Sequence, residues 1–270
     1  DSILQAILDD DSDKLLDLIS GLRKGRIIYL PNISKKLPEF LSHHPSLLSV
    51  SGFFASKKCF RSLLSHPSNS NAFVEDPQGR TAFHYAAAGG SLGIFKKLDQ
   101  HFENEKSREG TFDSRNGRQF INDAYNHSDS SGKTAMHYAA QFGRLDIIKY
   151  LYRKGADLDL PQYRKYFHPI QLACLYGHVD VVRFFAENGV PLTKEKSMNP
   201  IHYACIGGDV ATIEYLISQK VDLNDEYHSY TPLFYAAKCG SLNAIKVLLK
   251  HKATLKNRGR KNSPIHEAAL

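Results

Sequence analysis

Residues 132–160, GKTAMHYAAQFGRLDIIKYLYRKGADLDL, contain the pattern that decides the fold. Thr134 precedes a short alanine-rich run, Gly143 follows that run, and apolar residues such as Ile147 and Leu151 then recur at helical spacing. Thr favours the N-terminus of a helix, and Gly favours the position just past its end. The stretch therefore predicts two short helices joined by a tight turn and followed by an extended exit segment.

The same pattern recurs along the whole chain. The copies are SLLSVS (46–51, the weakest), TAFHYA (81–86), TAMHYA (134–139), HPIQLA (168–173), NPIHYA (199–204), TPLFYA (231–236) and SPIHEA (263–268). Five of the six intervals lie between 31 and 35 residues, and the interval from 81 to 134 is 53. A period near 33 residues indicates stacked units that bury their apolar faces against one another.

The motif T-x-x-H-x-A, the Gly between the helices and the GADLDL-type exit together resemble the ankyrin repeat, over roughly residues 46–270. The resemblance implies an all-α ankyrin-repeat solenoid of helix-turn-helix units whose loops project as hairpin fingers. It also implies that the motif histidines His84, His137, His202 and His266 hydrogen-bond the loop backbone. The segment HPSLLSVSGFFASKKCFRSLL further resembles the large ankyrin families of unicellular eukaryotes.

The regular repeats occupy residues 45–270, and residues 1–44 are expected to form a divergent helical cap or degenerate repeat, with a short helix around 34–41. The long interval places an insertion near 102–125, which is polar and contains Gly; a functional loop and a disordered one both remain open. SPIHEAAL at 263–270 stops inside a first helix. We expect that the natural protein continues there or that the chain was cut.

Composition limits the classes of function. The net charge of +7 is uneven, since residues 246–261 carry seven Lys or Arg and no acid. This basic end is either a solvated face or a site for an acidic partner, and no nucleic-acid reading motif accompanies it. No stretch has the 18 or so unbroken apolar residues of a membrane helix. Cys174 and Cys205 occupy a small buried motif position, which favours reduced thiols and an intracellular, cytoplasmic location.

No catalytic motif is recognisable in the chain. The motif histidines do not form a metal site, because equivalent residues of stacked units lie about 10 Å apart, whereas zinc ligands lie near 2 Å from the metal. We therefore expect no enzymatic activity, cofactor, metal or small-molecule substrate. The expected partner is a protein, and the expected state is a monomer.

Partner binding is expected on the concave groove that the fingers and first helices of such a stack form. Aromatic and Arg side chains are the usual interface anchors, and two fingers, at 162–169 and 226–232, are rich in aromatics. The candidate residues are Phe142, Arg164, Lys165, Tyr166, Tyr176, Tyr227, His228 and Tyr230. The alternative is that some rings pack finger against finger, Phe167 above all.

A second tyrosine series follows the motif histidine, at Tyr85, Tyr138, Tyr203 and Tyr235, and we interpret it as mainly structural. Two other functions stay open. The chain could be a regulatory ankyrin module excised from a larger enzyme or membrane channel. It could instead bind an anionic ligand through its basic C-terminal repeat.

Overall fold

The structure, a computed structural model, describes residues 2–20, 41–42, 44–66, 74–108, 125–162, 167–194 and 197–255, with side chains omitted at 105–108. Within these ranges the chain forms fourteen helices and no strand, as the all-α prediction requires. Two isolated backbone bridges close finger hairpins, Ser128 with Thr134 and Tyr227 with Tyr230. The chain divides into a first unit, residues 1–139 and 146–157, and a second unit, residues 140–145 and 158–270.

The first unit contains four helical hairpins in its described residues, and the first three of them form two layers. The helices are α1 Ser2–Leu8, α2 Ser12–Ser20, α3 Leu47–Phe53, α4 Lys57–Leu64, α5 Ala82–Gly89, α6 Leu92–Arg108, α7 Ala135–Gln141 and α8 Leu145–Arg153, with Ala140 to Leu145 assigned to the second unit. Helix α3 packs on α1 and α5, and α4 packs on α2 and α6. First helices thus stack on first helices and second helices on second helices.

The N-terminal hairpin docks through backbone groups. The Ser56 hydroxyl donates to the Ile7 carbonyl at 2.5 Å, and Asp10 Oδ1 accepts from the backbone N–H groups of Lys58 and Cys59 at the start of α4. Such bonds satisfy helix-terminal donors that have no partner inside the helix. Residues 21–40, with the helix expected around 34–41, lie outside the described ranges, so the cap over 1–44 stays a prediction.

The second unit repeats the same two-layer arrangement. Its helices are α9 Pro169–Leu175, α10 Val179–Glu187, α11 Pro200–Gly207, α12 Val210–Ser218, α13 Pro232–Lys238 and α14 Leu242–Lys250. Helix α11 packs between α9 and α13, while α12 packs between α10 and α14. Cys174 and Cys205 are buried and free, as their small-residue motif position predicts.

The predicted helix ends are confirmed. The inter-helix glycines all have positive φ, which glycine adopts at no steric cost: Gly90, Gly143, Gly177, Gly208 and Gly240. Pro169, Pro200 and Pro232 each open a helix at the first position. Thr81 and His84 bond each other reciprocally across the start of α5. The motif thus encodes both the start and the stop of the first helix.

The segment expected as an insertion begins inside a helix. Helix α6 runs to Arg108, and the Phe102 ring is buried with its centroid 6.1 Å from that of Phe83. Residues 109–124 lie outside the described ranges, and buried Tyr125 follows them. The last predicted repeat, residues 263–270 with His266, also lies outside them.

Buried Asp99 of α6 accepts hydrogen bonds from the hydroxyls of both Tyr125 and Tyr150. Lys154 Nζ lies 2.9 Å from Asp99 Oδ2 and 2.8 Å from Glu103 Oε1. Tyr125, the first described residue after α6, is therefore anchored to a carboxylate that α6 supplies.

Candidate functional site

Two described fingers of the first unit are built on aspartates. In DPQGRT (76–81), Asp76 Oδ1 accepts the backbone N–H groups of Gln78 and Arg80 at 2.8 and 2.9 Å. In DSSGKT (129–134), Asp129 Oδ1 accepts those of Ser131 and Lys133, both at 2.9 Å. Each carboxylate folds its finger by taking up backbone donors, as Asp commonly does in turns.

The second oxygen of each finger aspartate accepts a tyrosine hydroxyl. Tyr85 donates to Asp76 Oδ2 at 2.7 Å, and Tyr138 donates to Asp129 Oδ2 at 2.5 Å. Burial and these bonds raise the pKa of both hydroxyls. Burial alone would raise the pKa of Asp129, but hydrogen bonds from Tyr138 and Ser131 hold that pKa below its usual value. Both hydroxyls are therefore committed inside the first unit.

The motif histidine joins each first helix to the next finger. His84 Nε2 lies 3.1 Å from the His127 carbonyl, and His202 Nε2 lies 3.1 Å from the Asp225 carbonyl, so the predicted backbone bond is confirmed for both. Gln171, at the same position, donates to Ser197 Oγ and the Met198 carbonyl at 2.9 and 2.5 Å. Burial lowers the pKa of His84 to about 4 and also lowers the pKa of His202.

The finger that precedes α13 lacks the aspartate frame. Tyr227 and Tyr230 exchange both backbone hydrogen bonds, at 3.0 and 3.1 Å, across a turn formed by His228 and Ser229. Both turn residues have positive φ, 51° and 68°, as tight two-residue hairpins of type I′ require. The hairpin holds Tyr227 beside an exposed tip residue, His228, whose ring centroid lies 4.2 Å from that of Tyr227.

Aromatic packing fixes several rings of the second unit. Tyr230 stacks on Phe234 of α13, with centroids 4.0 Å apart and planes inclined by 22°. Phe167 packs on Tyr203 of α11 at 4.8 Å. Phe167 therefore packs inside the fold, but against a first helix rather than against another finger, and Tyr230 packs on the helix of its own repeat.

We call Tyr203, Tyr227 and Tyr235 the tyrosine cluster. Within the described part of the chain, none of their hydroxyls makes a side-chain hydrogen bond, in contrast to Tyr85 and Tyr138. Burial, with the neighbouring tyrosines Tyr227 and Tyr235, raises the pKa of Tyr203 to about 12. Burial, with Tyr227 and Tyr230, raises that of Tyr235. The hydroxyls of Tyr203 and Tyr235 are therefore protonated donors at neutral pH.

The other predicted binding residues divide into two groups. Phe142 and Tyr176 lie at inter-helix turns of the second unit, Phe142 half-buried and Tyr176 51% exposed. The Tyr176 hydroxyl accepts a long bond, 3.5 Å, from Gln141 Nε2. Arg164, Lys165 and Tyr166 lie outside the described residues. Binding by any of these residues stays a prediction.

Sequence reasoning missed the finger aspartates and the difference between the two tyrosine groups. Asp76 and Asp129 both stand five residues before the motif Thr, in the shared pattern D-x-x-G-[RK]-T, and that repetition was a usable signal. The four tyrosines themselves look alike in sequence. Only the residues upstream of each motif reveal which hydroxyls have an internal acceptor.

Among the residues that the structure describes, no group of three or more His, Cys, Asp or Glu side chains could hold a metal ion. None of the helices described above is both long and apolar enough to cross a membrane.

Comparisons with known proteins give the family. A sequence model of ankyrin repeats matches three times, at residues 50–162, 114–195 and 170–259. An ankyrin repeat protein of Rickettsia bellii (strain RML369-C) is 43% identical over 63 residues, which are 23% of this chain and 34% of that protein. An ankyrin repeat protein of Acanthamoeba polyphaga mimivirus is 25% identical over 136 residues, 50% of this chain and 15% of that protein.

The chain thus spans about a third or less of the length of these curated relatives. The crystal structure of the human ASB11 ankyrin repeat domain has a similar fold, with a TM-score of 0.58 and 17% identity; the match covers 99% of this chain and 91% of that one. The repeat motif, the stacked helical hairpins and the matched residues together show that this chain belongs to the ankyrin-repeat family.

Proposed function

We propose that the chain is a non-enzymatic interaction scaffold that binds a protein partner through the concave groove of the ankyrin fold, on the fingers and first helices of the second unit. Ankyrin repeats are in general protein–protein interaction modules. The observation that carries the proposal is the tyrosine cluster, whose rings are held by packing while their hydroxyls have no side-chain acceptor in the described chain.

Rigid aromatics suit this role for a physical reason. A binding side chain loses rotamer freedom when it is immobilised, and that loss weakens binding by roughly 0.5–1.5 kcal/mol. The Tyr235 ring already lies edge-on to His202 at 5.6 Å and to Phe234 at 5.9 Å, so little freedom is left to lose. Tyrosine also combines a large apolar face with a polar tip, as interface anchors commonly do.

A display selection of linear peptides against the folded chain tests the proposal. Selected peptides are synthesised, and their dissociation constants are measured for the wild type and for Tyr176→Ala and Tyr227→Ala. We expect each variant to weaken binding at least about tenfold, since truncating an interface anchor typically costs more than 1 kcal/mol.

Tyr152→Ala is the matched control, because Tyr152 of α8 is 43% exposed and lies on a second helix of the first unit. Its affinity should equal that of the wild type. Equal affinities for all variants, with unfolding unchanged, would contradict binding on the second unit.

The remaining alternatives stay predictions. In the described part of the basic end, Lys246, Lys250 and Lys252 are exposed, and a binder of anionic ligands would lose affinity steeply as salt rises. If the chain is a regulatory module of a larger enzyme or channel, the same groove would bind another domain of that protein. The expected monomeric state and cytoplasmic location are likewise untested expectations.

A further inference from the structure

The chain itself shows what a tyrosine of this motif position binds. Tyr85 and Tyr138 each donate to a carboxylate that stands five residues before the motif, Asp76 or Asp129. Tyr203 and Tyr235 occupy the same position in α11 and α13, yet no side-chain acceptor within the described residues meets their hydroxyls. Within its described residues, the second unit therefore keeps the donor and lacks the acceptor.

The residues that replace the two aspartates explain the missing acceptor. Lys194 stands five residues before the motif at 199 and carries the opposite charge; its Nζ instead contacts the Asp159 carboxylate at 2.6 and 2.7 Å. Glu226 stands five residues before Thr231, but its finger closes through Tyr227 and Tyr230, and no hydrogen bond joins Glu226 to Tyr235.

The charged residues around Tyr85 and Tyr138 also differ from those around Tyr203 and Tyr235. The charges of Asp76, Asp129 and Arg80 act on the hydroxyls of Tyr85 and Tyr138. Among the described residues, the groups whose charged forms raise the pKa of Tyr203 and Tyr235 are neighbouring tyrosines, and no carboxylate is among them. A carboxylate brought to these hydroxyls would thus take up donors that no carboxylate of the described residues already occupies.

One carboxylate can serve several of these donors. Asp99 of the first unit accepts hydrogen bonds from both Tyr125 and Tyr150, which shows that two tyrosine hydroxyls converge on a single carboxylate in this chain. Tyr227 pairs with Tyr230 across the finger hairpin, and the Tyr230 ring centroid lies 6.2 Å from that of Tyr235. The ring of His202, the residue before Tyr203, lies 5.6 Å from that of Tyr235. The three hydroxyls of the tyrosine cluster therefore belong to one neighbourhood.

We infer that the tyrosine cluster binds a carboxylate side chain of the partner, so that the preferred partner segment is a peptide with an Asp or Glu at this position. The inference rests on the proposed function and adds the partner's chemistry to it. The partner's carboxylate takes the role that Asp76 and Asp129 have in the first unit.

The test uses matched peptides. For each peptide selected by display, versions with Glu or Asp and with Gln or Asn at the candidate position are synthesised, and dissociation constants are measured with the wild type, Tyr203→Phe and Tyr235→Phe. We expect the wild type to prefer the acid over the amide about tenfold or more, because hydrogen bonds to charged groups are the stronger ones. Each Phe variant should lose most of that preference and keep most of its affinity for the amide peptide.

The Phe variants are suitable because they remove only the hydroxyl and keep the ring. Since these hydroxyls have no side-chain partner in the described chain, thermal unfolding should match the wild type, and Tyr152→Phe serves as the control for binding. An acid preference that survives in both Phe variants would overturn the inference, because the carboxylate would then be read elsewhere.

Peptides that bind the second unit without any acid preference would also overturn the inference while leaving the proposed function intact. Peptides that bind equally well to Tyr176→Ala and Tyr227→Ala would instead contradict the proposed function itself. The two failures are therefore distinguishable in one set of titrations.

Discussion

One motif position accepts two different side chains for the same hydrogen bond. His84 and His202 contact the backbone of the following finger through Nε2, and Gln171 reaches the next finger through its side-chain amide. The side-chain oxygen Oε1 of Gln171 also accepts from the backbone N–H of His168 at 2.7 Å. In the same way, His84 Nδ1 accepts from the backbone N–H of Thr81 at 3.0 Å. The residue must offer one acceptor to the helix start and one donor to the loop, and a neutral imidazole and an amide both do so.

The difference between His and Gln should appear as a pH dependence. Burial lowers the pKa of His84 to about 4, so between the ordinary value of 6.5 and 4 the unfolded chain takes up a proton that the folded chain does not. The free energy of unfolding therefore falls as pH is lowered through this window. In His84→Gln we expect that fall to be smaller by roughly 3 kcal/mol.

Denaturant unfolding at a series of pH values between 7 and 4 measures this effect. The exposed His228→Gln is the control and should follow the wild-type curve. Parallel curves for His84→Gln and wild type would show that His84 is not buried in its neutral form. His202 remains in every variant, and the lowered pKa of this histidine leaves part of the slope in place.

At the scale of elements, close backbone approach sets the spacing of the first helices. A Cβ placed on Gly207 of α11 would lie 2.1 Å from the Leu175 carbonyl oxygen of α9, well inside any permitted contact. At the same place in the first unit, a Cβ on Gly89 would lie 2.4 Å from the Phe53 carbonyl oxygen. Because both obstacles are backbone atoms, no side-chain rotation can relieve them.

Gly207→Ala should therefore force α9 and α11 apart and destabilise the fold by about 1–3 kcal/mol, the usual cost of overpacking. Gly93→Ala is the matched control, since a Cβ on this glycine of α6 meets nothing within 4 Å. That variant should be neutral or more stable by up to about 1 kcal/mol, because alanine is the better helix former. Chemical denaturation of both variants measures the difference, and equal stabilities would refute the contact.

The elements were predictable from sequence where one residue type has one local effect. Alanine runs, opening prolines and inter-helix glycines specify the first helices, and the structure places those glycines at positive φ as expected. The turn of the finger before α13 was harder to predict from sequence, because His228 and Ser229 adopt positive φ where Asn and Gly are usual. The residues directly around Tyr85 and Tyr203 are similar in sequence and do not distinguish the roles of these two tyrosines. The residues that do distinguish them, Asp76 and Lys194, lie on the fingers.

At the scale of the whole molecule, the reactivity of the four cysteine thiols measures how well the helices that contain them are packed. All four cysteines are free; Cys59, Cys174 and Cys205 are buried, and Cys239 is exposed. Burial raises the pKa of the Cys59 thiol to about 11 and raises those of Cys174 and Cys205 as well. Only the thiolate reacts readily, so these buried thiols are protected both by their surroundings and by their protonation.

A thiol-reactive chromogenic reagent should therefore modify one cysteine of the native protein quickly and all four after denaturation. Cys239→Ser should abolish the fast reaction and leave three thiols under denaturing conditions. A second fast thiol in the native protein would mean that one of the described helix pairs opens on the timescale of the reaction.

The contact of Tyr125 with Asp99 has a consequence for how the gene can change. Residues 109–124 are bracketed by Arg108, the last residue of α6, and by Tyr125, whose hydroxyl donates to Asp99 of that same helix. The entropy of closing such a loop grows only with the logarithm of its length, by about 0.6 kcal/mol per doubling. Insertions and deletions between Arg108 and Tyr125 therefore cost little closure entropy, so descendants of the chain can diverge in length here while the contact of Tyr125 with Asp99 persists.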